Sequence, residues 1–295
     1  MASTVPVAQI PGVYRRKIGD VVVTAISDGY LDASYDFTRN ITPADAEAIL
    51  KEAYRPAPPR VSINVFVIHS GGRIALVDTG SQNSMGPTLG HMPDNLKAAG
   101  IDAKDIDTIL LTHMHPDHSN GLTDANGKAL FPHVELVVAE RDVDHWFDDA
   151  AMARATERQK LRFFQWAREQ IAPYQKQRRD AKGEVFPGVT TVPLYGHTPG
   201  HTGFLVSSKN EQLLIWGDIT HMPDIQTRRP DVFMEPDTDG AAAVATRKRI
   251  MDQVATDRLL CAGMHMHFPG FLNLNRRQDG GYDLIPEIWD QKFSA

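Results

Sequence analysis

The first feature of this chain that could do chemistry is a run of histidines before its midpoint. Residues 113–118 read His-Met-His-Pro-Asp-His, the pattern H-x-H-x-D-H, directly after the largely apolar stretch 107–111. Imidazole nitrogens and carboxylate oxygens are ligands that borderline-soft divalent ions accept. The pattern therefore indicates a metal site rather than a catalytic triad. The alternative, a surface histidine cluster without an ion, leaves the ligand candidates further along the chain unexplained.

The apolar stretch before the histidines predicts a strand that presents them. Side chains alternate along a strand, so His113 and His115 would point in the same direction. Pro116 would end the strand and start a loop. From that loop Asp117 and His118 could turn towards a second metal beside the first.

Three later positions repeat this arrangement, with a histidine or aspartate after a predicted strand. Residues 196–201 read Gly-His-Thr-Pro-Gly-His, in which the glycines permit tight backbone paths around His197. Asp218 follows the apolar run 212–216, where an unpaired buried carboxylate would be costly. His265 and His267 follow another short strand. Each position alone is weak evidence, whereas their order after H-x-H-x-D-H is specific.

The elements that must position these residues come in two batches of strands, each followed by helices. Strands are predicted over residues 21–26, 62–68, 73–77, 107–111, 134–139, 190–194, 202–207, 212–216 and 258–262, with a turn at 27–29. Helices are predicted over residues 41–54, 94–99, 149–171 and 240–255. This order favours an α+β fold, a four-layer αββα sandwich of two mixed sheets with helices outside. No linker or repeat divides the chain, so we expect one domain over residues 1–295.

Composition excludes several classes of protein. The 295 residues carry a formal net charge of -6, which argues against a nucleic-acid partner. No apolar run reaches the ~18 residues of a membrane span, so no membrane association is expected. Residues 1–10 lack the basic and apolar segments of a secretory signal, which predicts a cytoplasmic location, or a periplasmic one if a signal was trimmed. The single cysteine, Cys261, excludes an internal disulfide and a multi-thiolate metal site.

On these motifs the chain resembles the metallo-β-lactamase superfamily over nearly its whole length. The resemblance implies two divalent metal ions per chain, most simply zinc, although manganese, cobalt and iron accept the same donors. It also implies seven ligands divided between them. One ion would be held by His113, His115 and His197, the other by Asp117, His118 and His265, and both by Asp218.

Two further residues would support the ligand loops by the same resemblance. Asp78, in the Asp-Thr-Gly of residues 78–80, resembles the first motif of the superfamily, which holds ligands in place without binding metal. His201 would act in a similar way. His265 is preferred to His267 as the last ligand because the Phe-Pro-Gly of residues 268–270 matches the register of the organophosphate-hydrolase branch.

That branch contains methyl parathion hydrolase and its lactonase-like relatives. The chain resembles it over residues 5–24, 76–80, 86–90 and 268–270. Met85 and the pair Leu272-Asn273 are departures that affect the expected pocket. The resemblance also implies a homodimer.

The expected reaction is hydrolysis by a water shared between two ions. Ions about 3.5–4 Å apart lower the pKa of that water to about 7, and the bridging hydroxide would attack a lactone, ester or phosphotriester. Asp117 and Asp218 are the expected catalytic carboxylates, and Asp218 could pass a proton to the leaving group. Two alternatives stay open: a mononuclear iron oxidoreductase of the persulfide-dioxygenase type on the same scaffold, and a binding module without activity.

The substrate is expected to be small, neutral and apolar, such as a lactone or an aryl ester. Aromatic and apolar side chains lie near the ligand motifs. No cluster of basic residues suggests a site for a phosphate monoester or a carboxylate, although a single arginine would not be detected in this way. Each candidate could equally pack a helix on a sheet. The candidate pocket residues are Met85, Trp146, Phe163, Phe164, His221 and Phe268.

Overall fold

Two seven-stranded mixed sheets form the centre of the computed structural model, which describes residues 5–290. The first sheet runs in the order β1 (Val13–Ile18), β2 (Val21–Asp32), β4 (Arg60–Ser70), β5 (Arg73–Val77), β6 (Thr108–Leu110), β7 (Glu135–Val138) and β8 (Arg178–Asp180). The second runs in the order β16 (Tyr282–Pro286), β15 (Phe271–Arg276), β14 (Leu260–Ala262), β12 (Glu211–Ile215), β11 (Thr202–Ser208), β10 (Val189–Pro193) and β9 (Glu184–Phe186). A separate pair consists of β3 (Thr38–Arg39) and β13 (Phe233–Met234).

Helices cover the outer faces and one end of the sandwich. The α-helices are α1 (Pro43–Glu52), α2 (Met92–Ala98), α3 (Pro116–Ser119), α4 (Glu140–Trp146), α5 (Asp149–Arg154), α6 (Glu157–Gln159), α7 (Trp166–Ile171), α8 (Pro223–Arg228) and α9 (Gly240–Asp257). A π-helix, Lys160–Gln165, lies between α6 and α7. None of these helices, within the part of the chain described, is long and apolar enough to cross a membrane. Residues 1–4, part of the stretch used to predict location, lie outside the described residues.

Alternation along the strands builds the layers. In β4, Phe66 and Ile68 face the second sheet, whereas Val65 and Val67 face the helices on the outer side of the first. On the outer face of the second sheet, Val254 of α9 joins another buried cluster. Successive strand residues must point to opposite faces, so a strand buried on both sides reads as a continuous apolar run. The predicted αββα sandwich is confirmed.

The turn predicted at residues 27–29 was wrong. Strand β2 continues to Asp32, and its register against β4 shifts between Ser27 and Gly29, as in a β-bulge. The buried carboxylate of Asp28 accepts hydrogen bonds from the backbone N–H groups of Ser81 (2.9 Å) and Met92 (3.0 Å). The polar residue that suggested a turn is therefore satisfied by contacts distant in sequence.

The single helix predicted over residues 149–171 is several segments. Helix α5 ends at Arg154, and Thr156 begins α6 with a capping box in which Thr156 and Gln159 hydrogen-bond reciprocally. The π-helix follows before α7. The composition correctly predicted helical structure here, but the capping box at Thr156 begins a new helix inside the predicted one.

The histidine run lies on a loop and a helix, not on a strand. Strand β6 ends at Leu110, which leaves His113 and His115 in the following loop. Pro116 takes the first position of α3, where its missing N–H is no loss, so Asp117 and His118 are helical. The other elements that were not predicted are helices α4 and α8 and strands β1, β3, β8, β9, β13, β15 and β16.

Removing the ring of Phe66 should destabilise the protein strongly, because this side chain is fully buried between the sheets, with its ring 5.6 Å from that of Phe271. We expect Phe66→Ala to lower the free energy of unfolding by about 3–5 kcal/mol in urea denaturation. Phe147→Ala, at a ring that is 40% exposed, should lower it by less than about 1 kcal/mol. Equal losses in the two variants would contradict the inter-sheet core.

Candidate metal centre

The loops that carry the predicted ligands meet at one edge of the sandwich. They follow β6 in the first sheet and β10, β12 and β14 in the second. Strands β12 and β14 are parallel, and β10 runs in the same direction, so their carboxyl ends lie at the same edge. All seven predicted ligands come together there, and all except the half-buried Asp117 are buried. They are His113, His115, Asp117, His118, His197, Asp218 and His265.

The first group consists of three imidazoles. His197 Nε2 lies 3.1 Å from His113 Nε2 and 2.9 Å from His115 Nδ1. Burial lowers the pKa of His113 and that of His115 well below the ordinary histidine value, so both imidazoles are neutral. His197 differs: burial alone would lower its pKa, but hydrogen bonds to Asp218 and Asp237 raise it to about 9, so this ring must give up a proton when it binds a cation. This group could hold a metal ion.

The second group contains Asp117, His118 and His265. Asp117 Oδ2 lies 3.6 Å from His118 Nε2 and 3.5 Å from His265 Nε2. Between the two groups lies Asp218, whose Oδ2 is 3.2 Å from His118 Nε2 and 3.3 Å from His197 Nε2. One carboxylate oxygen is thus within reach of donors from both groups.

The outward nitrogens of two ligands are fixed by acceptors. His197 Nδ1 lies 2.6 Å from Asp237 Oδ1, and His265 Nδ1 lies 2.9 Å from the carbonyl oxygen of Ser62. A hydrogen bond to these acceptors places the proton on Nδ1 and leaves the lone pair of Nε2 facing inwards. These outer contacts select the tautomer that binds metal.

Asp78 fixes the orientation of ligands in the first histidine run. Its carboxylate accepts hydrogen bonds from Thr112 N (2.8 Å), Thr112 Oγ1 (2.8 Å) and His118 Nδ1 (2.7 Å). Because Thr112 Oγ1 donates to Asp78, it accepts from His113 Nδ1 at 3.0 Å. One buried carboxylate therefore orients two candidate ligands, the supporting place that the resemblance implied.

His201 supports Asp218 through the backbone. Burial lowers the pKa of His201 to about 3, so the ring is neutral. Its Nδ1 donates to the carbonyl oxygen of Leu194, and its Nε2 accepts from the backbone N–H of Asp218 (both 2.9 Å). Gly217 has a φ of +57°, and a side chain there would collide with the His201 ring. Glycine at this position allows the imidazole to reach the carboxylate loop.

Two buried polar atoms in the cluster are suited to binding a cation. Within residues 5–290, His118 Nε2 and Asp218 Oδ1 are buried and have no hydrogen-bond partner. Buried polar atoms are normally satisfied. Burial by itself would raise the pKa of Asp218, but the imidazoles around it, His118 first and then His265, hold that pKa well below the ordinary range. An ionised carboxylate among imidazole nitrogens is a donor set that suits a borderline-soft divalent ion.

His265 and His267 have separate surroundings. His265 Nε2 lies 3.1 Å from Asp218 Oδ2, inside the cluster. His267 Nε2 instead lies 2.6 Å from Asp224, whose carboxylate is also 3.3 Å from Arg55. The structure brings His265, and not His267, to the other candidate ligands.

A cavity of about 240 Å³ opens over the cluster. Of the six predicted pocket residues, Met85, Phe163 and His221 line it, and the ring of Phe163 packs 4.6 Å from that of His115. The cavity is lined by Leu31, Asp32, Ala33, Phe37, Val61, Met85, His115, Pro116, Asp117, Arg158, Arg162, Phe163, Asp218, His221, Met222, Met234, Pro236 and His265.

The other three predicted pocket residues do not line this cavity. Trp146 and Phe164 are buried in the core beneath it, with their rings 5.0 Å apart. Phe268 lines a different cavity of about 430 Å³, together with His267. Trp146 and Phe164 therefore pack in the core, which is the alternative that the sequence left open for each pocket candidate.

Sequence reasoning missed several residues of the site. Asp142 of α4 accepts hydrogen bonds from Met114 N (2.9 Å) and Gly200 N (3.1 Å), and so ties together two ligand loops. Its helix was not predicted, and its only signal was an acidic residue in a first helical turn after a strand. Asp237 lies in a loop without any such signal. Arg158 and Arg162, which line the cavity, lie in the segment predicted as one continuous helix.

Comparisons with known proteins agree with this geometry. The family model of the metallo-beta-lactamase superfamily matches residues 58–263. The structure of the hydrolase AbOPH in the beta lactamase superfamily is 31% identical, with a TM-score of 0.90, over 96% of this chain and 100% of that one. AidC, a dizinc quorum-quenching lactonase solved with a product, is 26% identical, with a TM-score of 0.87, over 95% and 99%.

A curated relative is the uncharacterized protein YobT of Bacillus subtilis (strain 168). It is 24% identical over 148 residues, which are 50% of this chain and 58% of that protein. The chain therefore matches little more than half the length of this relative.

Metal content should separate the two neighbouring histidines. His265→Ala removes a nitrogen from the second group, so the purified variant should bind less metal per chain than the wild type by mass spectrometry. His267→Ala removes only the partner of Asp224 and should keep the wild-type content. Loss of metal in His267→Ala alone would contradict the assignment.

Asp78→Asn should weaken metal binding without removing a ligand, because an amide cannot accept all three hydrogen bonds that Asp78 receives. We expect the affinity for zinc, measured by competition with a chromophoric chelator, to fall about 10–100-fold. Asp224→Asn makes the same substitution outside the cluster and should leave that affinity unchanged. Unchanged affinity in both variants would exclude a supporting role for Asp78.

Proposed function

The chain belongs to the metallo-beta-lactamase superfamily, and from that premise we propose that it is a dinuclear metal-dependent hydrolase of lactones and esters, with phosphotriesters open to the same attack. The observation that carries the proposal is the position of Asp218 Oδ2 between two groups of donors. The likeness to a hydrolase and to a dizinc lactonase supports it.

In this proposal each donor group holds one divalent cation. Zinc is the first choice, and manganese, cobalt and iron suit the same donors. Bound cations supply Lewis-acid polarisation of the substrate and acidification of a nucleophilic water. The residues that would hold them are His113, His115 and His197 for one, Asp117, His118 and His265 for the other, and Asp218 for both.

The two acidic ligands differ in what they offer to the reaction. Asp218 Oδ1 is buried without a partner, and the backbone of Asp218 is fixed by His201. We assign to this oxygen the transfer of a proton from the nucleophile to the leaving oxygen. Asp117 is half-buried and lies in the cavity wall, where a bound substrate would contact it.

The cavity favours a compact substrate with an apolar body. Its volume of about 240 Å³ lies below the ~300–1,000 Å³ of drug-sized pockets. Apolar side chains form much of its wall, among them Phe37, Val61, Met85 and Met234. Such walls exclude water around the scissile bond and strengthen the electrostatic interactions made there. A lactone ring or a short acyl ester fits this description.

Metal dependence tests the proposal directly. We expect the purified enzyme to hydrolyse members of a panel of acyl-homoserine lactones, 4-nitrophenyl esters and phosphotriesters. A chelator should abolish turnover, and zinc, manganese or cobalt should restore it. Mass spectrometry should find two metal ions per chain, because there are two groups of donors. The oxidoreductase alternative instead predicts a single iron. Turnover insensitive to chelation, or one iron per chain with oxygen uptake, would contradict the proposal.

Asp218→Ala should keep the fold but lose metal and most turnover. The variant removes the oxygen shared by both groups, so we expect kcat/KM to fall at least about 100-fold, since outer-shell changes alone typically cost 10–100-fold. Circular dichroism should match the wild type. Asp105→Ala, at an exposed carboxylate, is the control. Wild-type rates in Asp218→Ala would refute the shared-ligand assignment.

A further inference from the structure

Two arginines face the cavity above the candidate metal centre. Arg158 and Arg162 both line it, and they are four residues apart in the helical segment. Three carboxylates also line it. Asp117 and Asp218 belong to the candidate ligands, and Asp32 forms an ion pair with Arg60 at 2.9 Å. No acid in the wall is therefore free to neutralise the arginines.

The two arginines differ in their partners. Arg158 lies 3.8 Å from Glu235 and 5.2 Å from the ring centroid of Phe37. Arg162 forms no ion pair or hydrogen bond within residues 5–290, and its guanidinium lies 5.7 Å from the ring centroid of Trp166. Its side chain is half-buried. A guanidinium in a cavity wall without a protein acceptor has its N–H donors available to a ligand.

The backbone that carries Arg162 is unusual. Residues Lys160–Gln165 form a π-helix, a geometry that is rare and frequent at functional sites. This segment also places Phe163 against His115, at 4.6 Å between the rings. The π-helix thus places Phe163 against a candidate ligand and the guanidinium of the preceding residue, Arg162, along the cavity wall.

We propose that Arg162 binds a carboxylate of the substrate remote from the scissile bond, so that the preferred substrates are esters or lactones with a distal negative charge. The inference rests on the proposed hydrolase function and departs from the expectation of a neutral substrate. A guanidinium recognises a carboxylate through two parallel hydrogen bonds. The partly buried position strengthens that attraction compared with bulk water.

A matched pair of esters tests this role. Mono-4-nitrophenyl adipate carries a distal carboxylate, and its methyl ester is neutral but has the same chain and leaving group. In the wild type we expect KM to be about tenfold lower for the charged ester, the size expected of a charged hydrogen bond at a partly exposed site. Arg162→Gln should abolish that difference, so that the two esters have the same KM in this variant. Arg162→Lys should retain part of it.

Arg154→Gln is the matched control. Arg154 is exposed at the end of α5 and does not line the cavity, so the same loss of charge there should leave the preference intact. Equal KM values for the two esters in the wild type, or a preference that survives in Arg162→Gln, would overturn the assignment while the hydrolase function stands.

A binding measurement separates this inference from the proposed function. The mono-anilide of adipic acid replaces the labile ester by an amide, and calorimetric titration can compare it with its methyl ester. Tighter binding of the charged amide by the wild type, lost in Arg162→Gln, would support the inference even if no ester were hydrolysed. Equal binding of the two amides by the wild type would contradict it.

Discussion

The site depends on one buried carboxylate oxygen, Asp218 Oδ2, around which imidazoles gather from loops far apart in the sequence. His118 and His265 approach it from the second donor group, and His197 from the first, at 3.1–3.3 Å. A buried charge is stable only when it is paired or bound to metal. The sandwich meets that constraint by bringing strand ends from both sheets to one edge, where cations could satisfy all of these donors together.

Hydrogen bonds from the surrounding protein hold the candidate ligands in position. Asp78 orients His113 through Thr112 and orients His118 directly. Asp142 ties the loop of the first histidine run to the loop after β10. Such outer hydrogen bonds set tautomer and ring direction. Binding energy is then available for polarising a substrate instead of ordering the loops, which is the general advantage of preorganised sites.

The sequence predicted the layers and the candidate ligands that the structure brings together, because strand periodicity and histidine motifs are local signals and the resemblance supplied the ligand set. The H-x-H-x-D-H run and the apolar alternation are visible in short windows, whereas the choice of His265 over His267 came from resemblance. The parts that were missed depend on tertiary placement. Asp142 matters because of two backbone groups that lie distant in sequence, and Arg162 reaches the cavity from a π-helix inside an apparently continuous helical pattern. The spacing of residues along a single sequence does not predict contacts of this kind.

The most direct test of the account is the position of the bound metal. Crystals of the zinc-loaded protein, measured at the zinc absorption edge, should show two anomalous peaks on either side of Asp218. One peak should lie among His113, His115 and His197, and the other beside His118 in the second donor group. Peaks elsewhere, or no peak beside the Asp218 carboxylate, would contradict it.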